Sequence, residues 1–86
     1  MADPVSWLLV EPGWEVVDRD GARIGTVHQV LGDFQADIFD GLAVHTRLLD
    51  KPRYIPAERV TRILEGRIET DLAPDEVAQL AERNDV

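Results

Sequence analysis

Eighty-six residues carrying 17 acidic and 9 basic side chains, a net charge of −8 and no cysteine set narrow bounds on this chain. A domain of that size buries only about 60 to 65% of its unfolded surface, which leaves little room for a deep substrate cavity. The absence of cysteine excludes disulfides and thiolate metal sites. Nucleic acid is not expected as a partner either, because phosphate binding depends on a net basic footprint.

The longest apolar stretch, residues 5–10, is broken by Ser6 and is far shorter than the roughly 20 residues of a membrane span. No basic region precedes it in the manner of a secretory signal. No membrane insertion and a cytoplasmic location are therefore the expectations. Charge is unevenly spread: both ends are acidic, while Arg47, Lys51, Arg53, Arg59 and Arg62 form a local basic stretch in the middle.

In chain order, Asp3-Pro4 reads as an N-cap with proline at the first helical position, which predicts a short helix over residues 4–9. Leu8-Leu9-Val10 reads equally as an edge strand. Pro12-Gly13 ends it. A first strand from Trp14 through Asp18 meets the Asp20-Gly21 turn, a strong hairpin signal because glycine accepts positive φ. The second strand follows over residues 23–31, with Gly25 marking a bulge or a close backbone approach. Residues 33–41, of mixed polarity, read as a loop.

Leu42, Val44 and Thr46 share one face of a third strand by period two. Tyr54-Ile55-Pro56 is a short strand that its proline confines to an edge or an end. Two further strands, residues 60–64 and 67–70, flank Glu65-Gly66. Pro74-Asp75-Glu76 then opens a helix predicted to reach residue 83, with Val77, Leu80 and Ala81 on one side. Six short strands and a terminal helix predict one mainly β domain over residues 1–86. Its core, residues 14–71, is expected to be a closed or nearly closed barrel, because closure removes exposed edges. An SH3-like sandwich is the alternative.

No catalytic constellation stands out. His28 and His45 are the only candidates for acid–base work near neutral pH, and they fall on separate strands with no nucleophile selected by spacing. Surface histidines are the plainer reading. Asp33, Asp37 and Asp40 are the one cluster suited to a hard cation, although their spacing is not that of an EF-hand and turn formation accounts for them more simply. Gly21 to Gly25 lacks the spacing of a phosphate loop and leads into a strand. Phe34 and Phe39 flank Asp37 in polar surroundings, where an exposed aromatic marks a contact site and a buried one plugs a barrel mouth. Val77 and Leu80 supply a stripe for the chain's own barrel or for a second copy in a homodimer; the sequence leaves both open.

The order of landmarks resembles the PRC-barrel family. The residues are Val16-Val17, Asp20-Gly21, Ile24-Gly25-Thr26-Val27, the segment 33–41, Leu42-Ala43-Val44, Ile55-Pro56 and Val60-Thr61-Arg62-Ile63. The resemblance implies a six-stranded β-barrel used as an assembly module. It extends to the cytoplasmic domain of the photosynthetic reaction-centre H subunit, to the C-terminal domain of the ribosome maturation factor, and to stand-alone bacterial members. The expected function is a non-enzymatic protein-binding module with an unidentified protein partner and no cofactor. A ligand- or metal-responsive regulator using the acidic loop 33–40 is the alternative.

Overall fold

The computed structural model describes residues 4–46 and 51–81. Six strands form one sheet: β1 (Glu15–Val17), β2 (Arg23–Asp33), β3 (Ile38–Thr46), β4 (Arg53–Pro56), β5 (Val60–Leu64) and β6 (Arg67–Thr70). The order across the sheet is β4-β3-β2-β1-β6-β5. Every pairing is antiparallel except β1 with β6, which is parallel. The sheet curls into a half-barrel around Val16, Val27, Leu42, Val44, Ile55, Ile68 and Leu72, all essentially without exposure. One continuous sheet, rather than a sandwich of two, holds this core.

β4 and β5 do not pair, so closure is incomplete, and the chain ends cover the two edges instead. Val5 N–H donates to the Ile63 carbonyl on β5 (2.8 Å). On the other edge, Tyr54 N–H donates to the Ala81 carbonyl (2.8 Å) and the Arg53 guanidinium to the Leu80 carbonyl (2.7 Å). One backbone group on each edge strand, the Ile63 carbonyl and the Tyr54 N–H, is thereby occupied, and the segments laid along the edges obstruct the pairing of another strand.

This duty explains why neither terminal segment is the α-helix its sequence predicts. Near the N-terminus only Trp7–Leu9 is helical, as a 3₁₀ turn capped by Ser6, whose Oγ accepts from Leu8 N–H at 3.1 Å. Val5 is committed to β5, and Asp3, the expected cap, lies outside the described residues. Pro74–Gln79 is likewise a 3₁₀ helix, and Leu80 turns extended (ψ 145°) so that its carbonyl and that of Ala81 reach β4. The predicted helical end at Arg83 also lies outside the described residues.

The Asp20-Gly21 turn forms as expected, with Gly21 at φ 85°. Asp18, a buried carboxylate, organises it by accepting from Asp20 N–H (2.9 Å) and Ala22 N–H (3.0 Å). Gly25 is a close approach, since a Cβ there would land on the His45 carbonyl of β3, and it also borders an irregularity of the β1–β2 ladder, where Val16 opposes Gly25 but Val17 opposes Arg23. The β2–β3 ladder has two more irregularities, with His28 as the extra residue of β2 between Val27 and Gln29, and Asp40 as the extra residue of β3 between Phe39 and Gly41.

The segment expected to be a loop is mostly strand. β2 runs to Asp33 and β3 begins at Ile38, leaving only residues 34–37 as the turn of a long hairpin. Asp33 Oδ1 accepts from the N–H groups of Gln35 (3.0 Å) and Ala36 (3.1 Å), and Asp37 takes positive φ (56°). The polar residues that suggested a loop are turn caps and outward-facing strand positions.

Candidate functional site

The 3₁₀ turn Trp7–Leu9 lies against the tip of the β2–β3 hairpin, and Trp7 is the joint. Its indole stacks on Phe39 (ring centroids 5.3 Å apart, 21° between planes) and meets Phe34 at 5.0 Å and 35°. Indole Nε1–H donates to Asp37 Oδ1 at 2.7 Å. Gly32 admits the ring, since a Cβ there would stand 3.2 Å from the Trp7 six-membered ring edge. The rotamer is thus held from three sides, and the aromatic surface is preorganised.

Around this joint lies the large apolar exposure of the described residues. Among the described residues the exposed large hydrophobic side chains are Leu8 (43%), Leu9 (59%), Phe34 (57%) and Ile38 (54%). All four belong to the two segments that Trp7 connects. Beside them an open groove of about 420 Å³ runs between the N-terminal segment and β5, lined by Pro4, Val5, Trp7, Phe39, Val60 and Ile63 among others. Exposed Asp33, Asp37, Asp40 and Glu11 belong to the same or adjoining segments.

The two aromatics singled out from sequence therefore take different roles. Phe39 is half-buried and packs on the core, whereas Phe34 is exposed. Leu8, Leu9 and Ile38 were not legible as surface residues. The one available signal was the run Trp7-Leu8-Leu9, because neither helical nor strand periodicity turns three consecutive side chains inward.

The three aspartates do not converge. Asp33 caps the hairpin turn, Asp37 holds Trp7, and Asp40 offers its backbone carbonyl to Tyr54 Oη–H at 2.8 Å. Among the described residues no three His, Asp or Glu side chains gather in a metal-binding arrangement. His28 and His45, in contrast, are brought together on neighbouring strands, with ring centroids 4.3 Å apart at 71°. Val77 and Leu80 are half-buried against the chain's own core.

The basic stretch is largely answered inside the molecule. Arg59 pairs with Asp71 (2.6 Å) and Glu76 (3.0 Å), and Arg62 with Glu69 (3.0 Å). The Ala73 backbone N–H, followed by Arg59, holds the Glu76 carboxyl below its ordinary pKa; Asp71 and then Glu76 raise that of the guanidinium. Arg47 lies outside the described residues. No helix among the described residues is long and apolar enough to cross a membrane.

Comparison with known families finds that the model of the PRC-barrel domain matches residues 13–77. No curated protein matches the chain.

Proposed function

The chain belongs to the PRC-barrel domain family, and from that premise we propose that it is a non-enzymatic module that binds a protein partner through the face around Trp7. One observation carries the reading: among the described residues, the exposed large hydrophobic side chains gather on the two segments joined by Trp7. Single exposed apolar residues are normal on any protein, but a gathered set beside an apolar groove marks an interaction site. The aromatic stack adds large, conformationally restricted area, the type of side chain that dominates interface energetics. Acidic side chains on the same segments favour a partner whose rim is basic. A cytoplasmic place of action is part of this reading.

Affinity capture from the native cell, with wild type and the double variant Leu9→Ser, Phe34→Ser side by side, tests this. Both side chains are more than half exposed, so the variant should unfold at nearly the wild-type temperature. It is expected to lose a partner that wild type retains. Equal retention of every captured protein by the two would refute this face as the contact.

A further inference from the structure

The β2–β3 ladder places His28 in an unusual position. Val27 opposes Val44 and Gln29 opposes Ala43, so His28 is the extra residue of a bulge. Thr26 opposes His45, which sets His28 diagonally across from it. A bulge re-aims the side chain it carries, and here the two imidazoles come into contact, 4.3 Å between centroids. His45 is exposed and His28 half-buried, so the pair is open to solvent. Neither ring belongs to the hydrophobic core or to the aromatic face around Trp7.

We propose that His28 and His45 form a two-imidazole chelating site for a borderline transition-metal cation: Cu²⁺, Ni²⁺ or Zn²⁺. Imidazole nitrogen suits these ions, whereas Ca²⁺ and Mg²⁺ require several oxygens. The rings meet at 71°, edge toward face. The histidine χ2 torsion is broad, so the exposed ring can turn a nitrogen toward a point shared with its neighbour without backbone movement. Both ligands stand on hydrogen-bonded strands, which position a site more accurately than loops do. A net charge of −8 raises the local concentration of cations. Two protein ligands leave the remaining positions of the ion open to water or an incoming donor, the arrangement of a reactive or bridging site rather than a closed structural one.

Calorimetric titration of the full chain with CuCl₂, NiCl₂ and ZnCl₂, and with CaCl₂ and MgCl₂ for comparison, tests the site. Expected is one saturable event with each transition metal, tightest for Cu²⁺ as the general affinity order requires, and none with Ca²⁺ or Mg²⁺. His45→Ala and His28→Ala should each weaken binding at least about tenfold. Because the half-buried His28 could matter to folding, proton NMR of the wild type supplies a second readout. Substoichiometric Cu²⁺ should broaden the ring signals of both histidines together, ahead of other resonances. Absence of saturable heat, binding undiminished in His45→Ala, or broadening that spares either ring would overturn the proposal.

Discussion

At the level of single residues, two glycines separate the two reasons a chain needs one. Gly25 lacks space, because a Cβ would strike the backbone carbonyl of His45, which cannot move without disturbing the β2–β3 ladder. Gly66 has open space but sits at φ 81° in the β5–β6 turn. Gly25→Val should therefore destabilise by at least about 1 to 3 kcal/mol through overpacking. Gly66→Ala should cost about 1 kcal/mol, the left-handed penalty alone. Urea unfolding of both variants checks the order, and a Gly25→Val protein as stable as wild type would contradict the strand register. Asp37 joins the second of these demands to a polar contact, with φ at 56° and a carboxylate on the Trp7 indole. Asp37→Asn keeps an acceptor and a residue tolerant of that φ, so Trp7 fluorescence should change little. Asp37→Ala should shift the emission and loosen the aromatic stack; identical spectra for the two variants would mean that the hydrogen bond does not position the ring.

At the level of elements, the C-terminal 3₁₀ helix depends on charge as well as packing. Glu76 accepts from the Ala73 N–H (2.9 Å) and pairs with Arg59, so its carboxyl titrates lower in the folded chain than in the unfolded one. A depressed carboxyl pKa contributes stability that is complete above the unfolded value and is lost as pH falls through the folded value. The Glu76 side chain is more than a third exposed, so the contribution is small and reduced by salt. Thermal melts of Glu76→Gln against wild type should show a lower midpoint for the variant at pH 7, and a gap that closes when both are acidified below the ordinary glutamate range. A gap that persists in acid would assign the effect to side-chain shape instead of charge. The N-terminal 3₁₀ turn has a different dependence: its place is set by Trp7 on the hairpin tip and by Val5 on β5, contacts distant in sequence.

For the molecule as a whole, a half-barrel stays discrete only if its two sheet edges are kept from pairing with another copy. Both edges are met by the chain's own ends, and Arg59 and Arg62, which might have attracted the acidic ends of a second copy, are paired internally. Val77 and Leu80 face the core they were available to cover. Light scattering at tens of micromolar should therefore give the mass of a single chain. Leu80→Asp should destabilise by roughly 1 to 3 kcal/mol, as a charge placed against apolar packing does. A dimeric mass that Leu80→Asp halves without lowering the unfolding midpoint would instead place that stripe in an interface between copies.

Local chemistry made much of this protein readable from its sequence. The Asp20-Gly21 and Glu65-Gly66 turns and the buried Leu42 and Val44 of the third strand depend on φ preferences and side-chain polarity, properties of a few adjacent residues, and Gly25 stands out as special although its neighbour, His45, is not legible. The sequence also bounded the charge and excluded cysteine chemistry. What the tertiary structure alone decided is whatever rests on partners far along the chain. Pro74–Gln79 has a helical pattern, yet the need to reach the β4 edge ends it before a full α-helix forms. The aspartates at 33 and 37 carry loop chemistry, but cross-strand hydrogen bonding draws their neighbours into β2 and β3. Trp7 meets Asp37 across 30 residues, and the two histidines meet only because a bulge shifts β2 against β3. Turn and strand preferences are short-range energies written into adjacent side chains; edge protection, register and aromatic contact arise only once the sheet has curled and brought distant segments together.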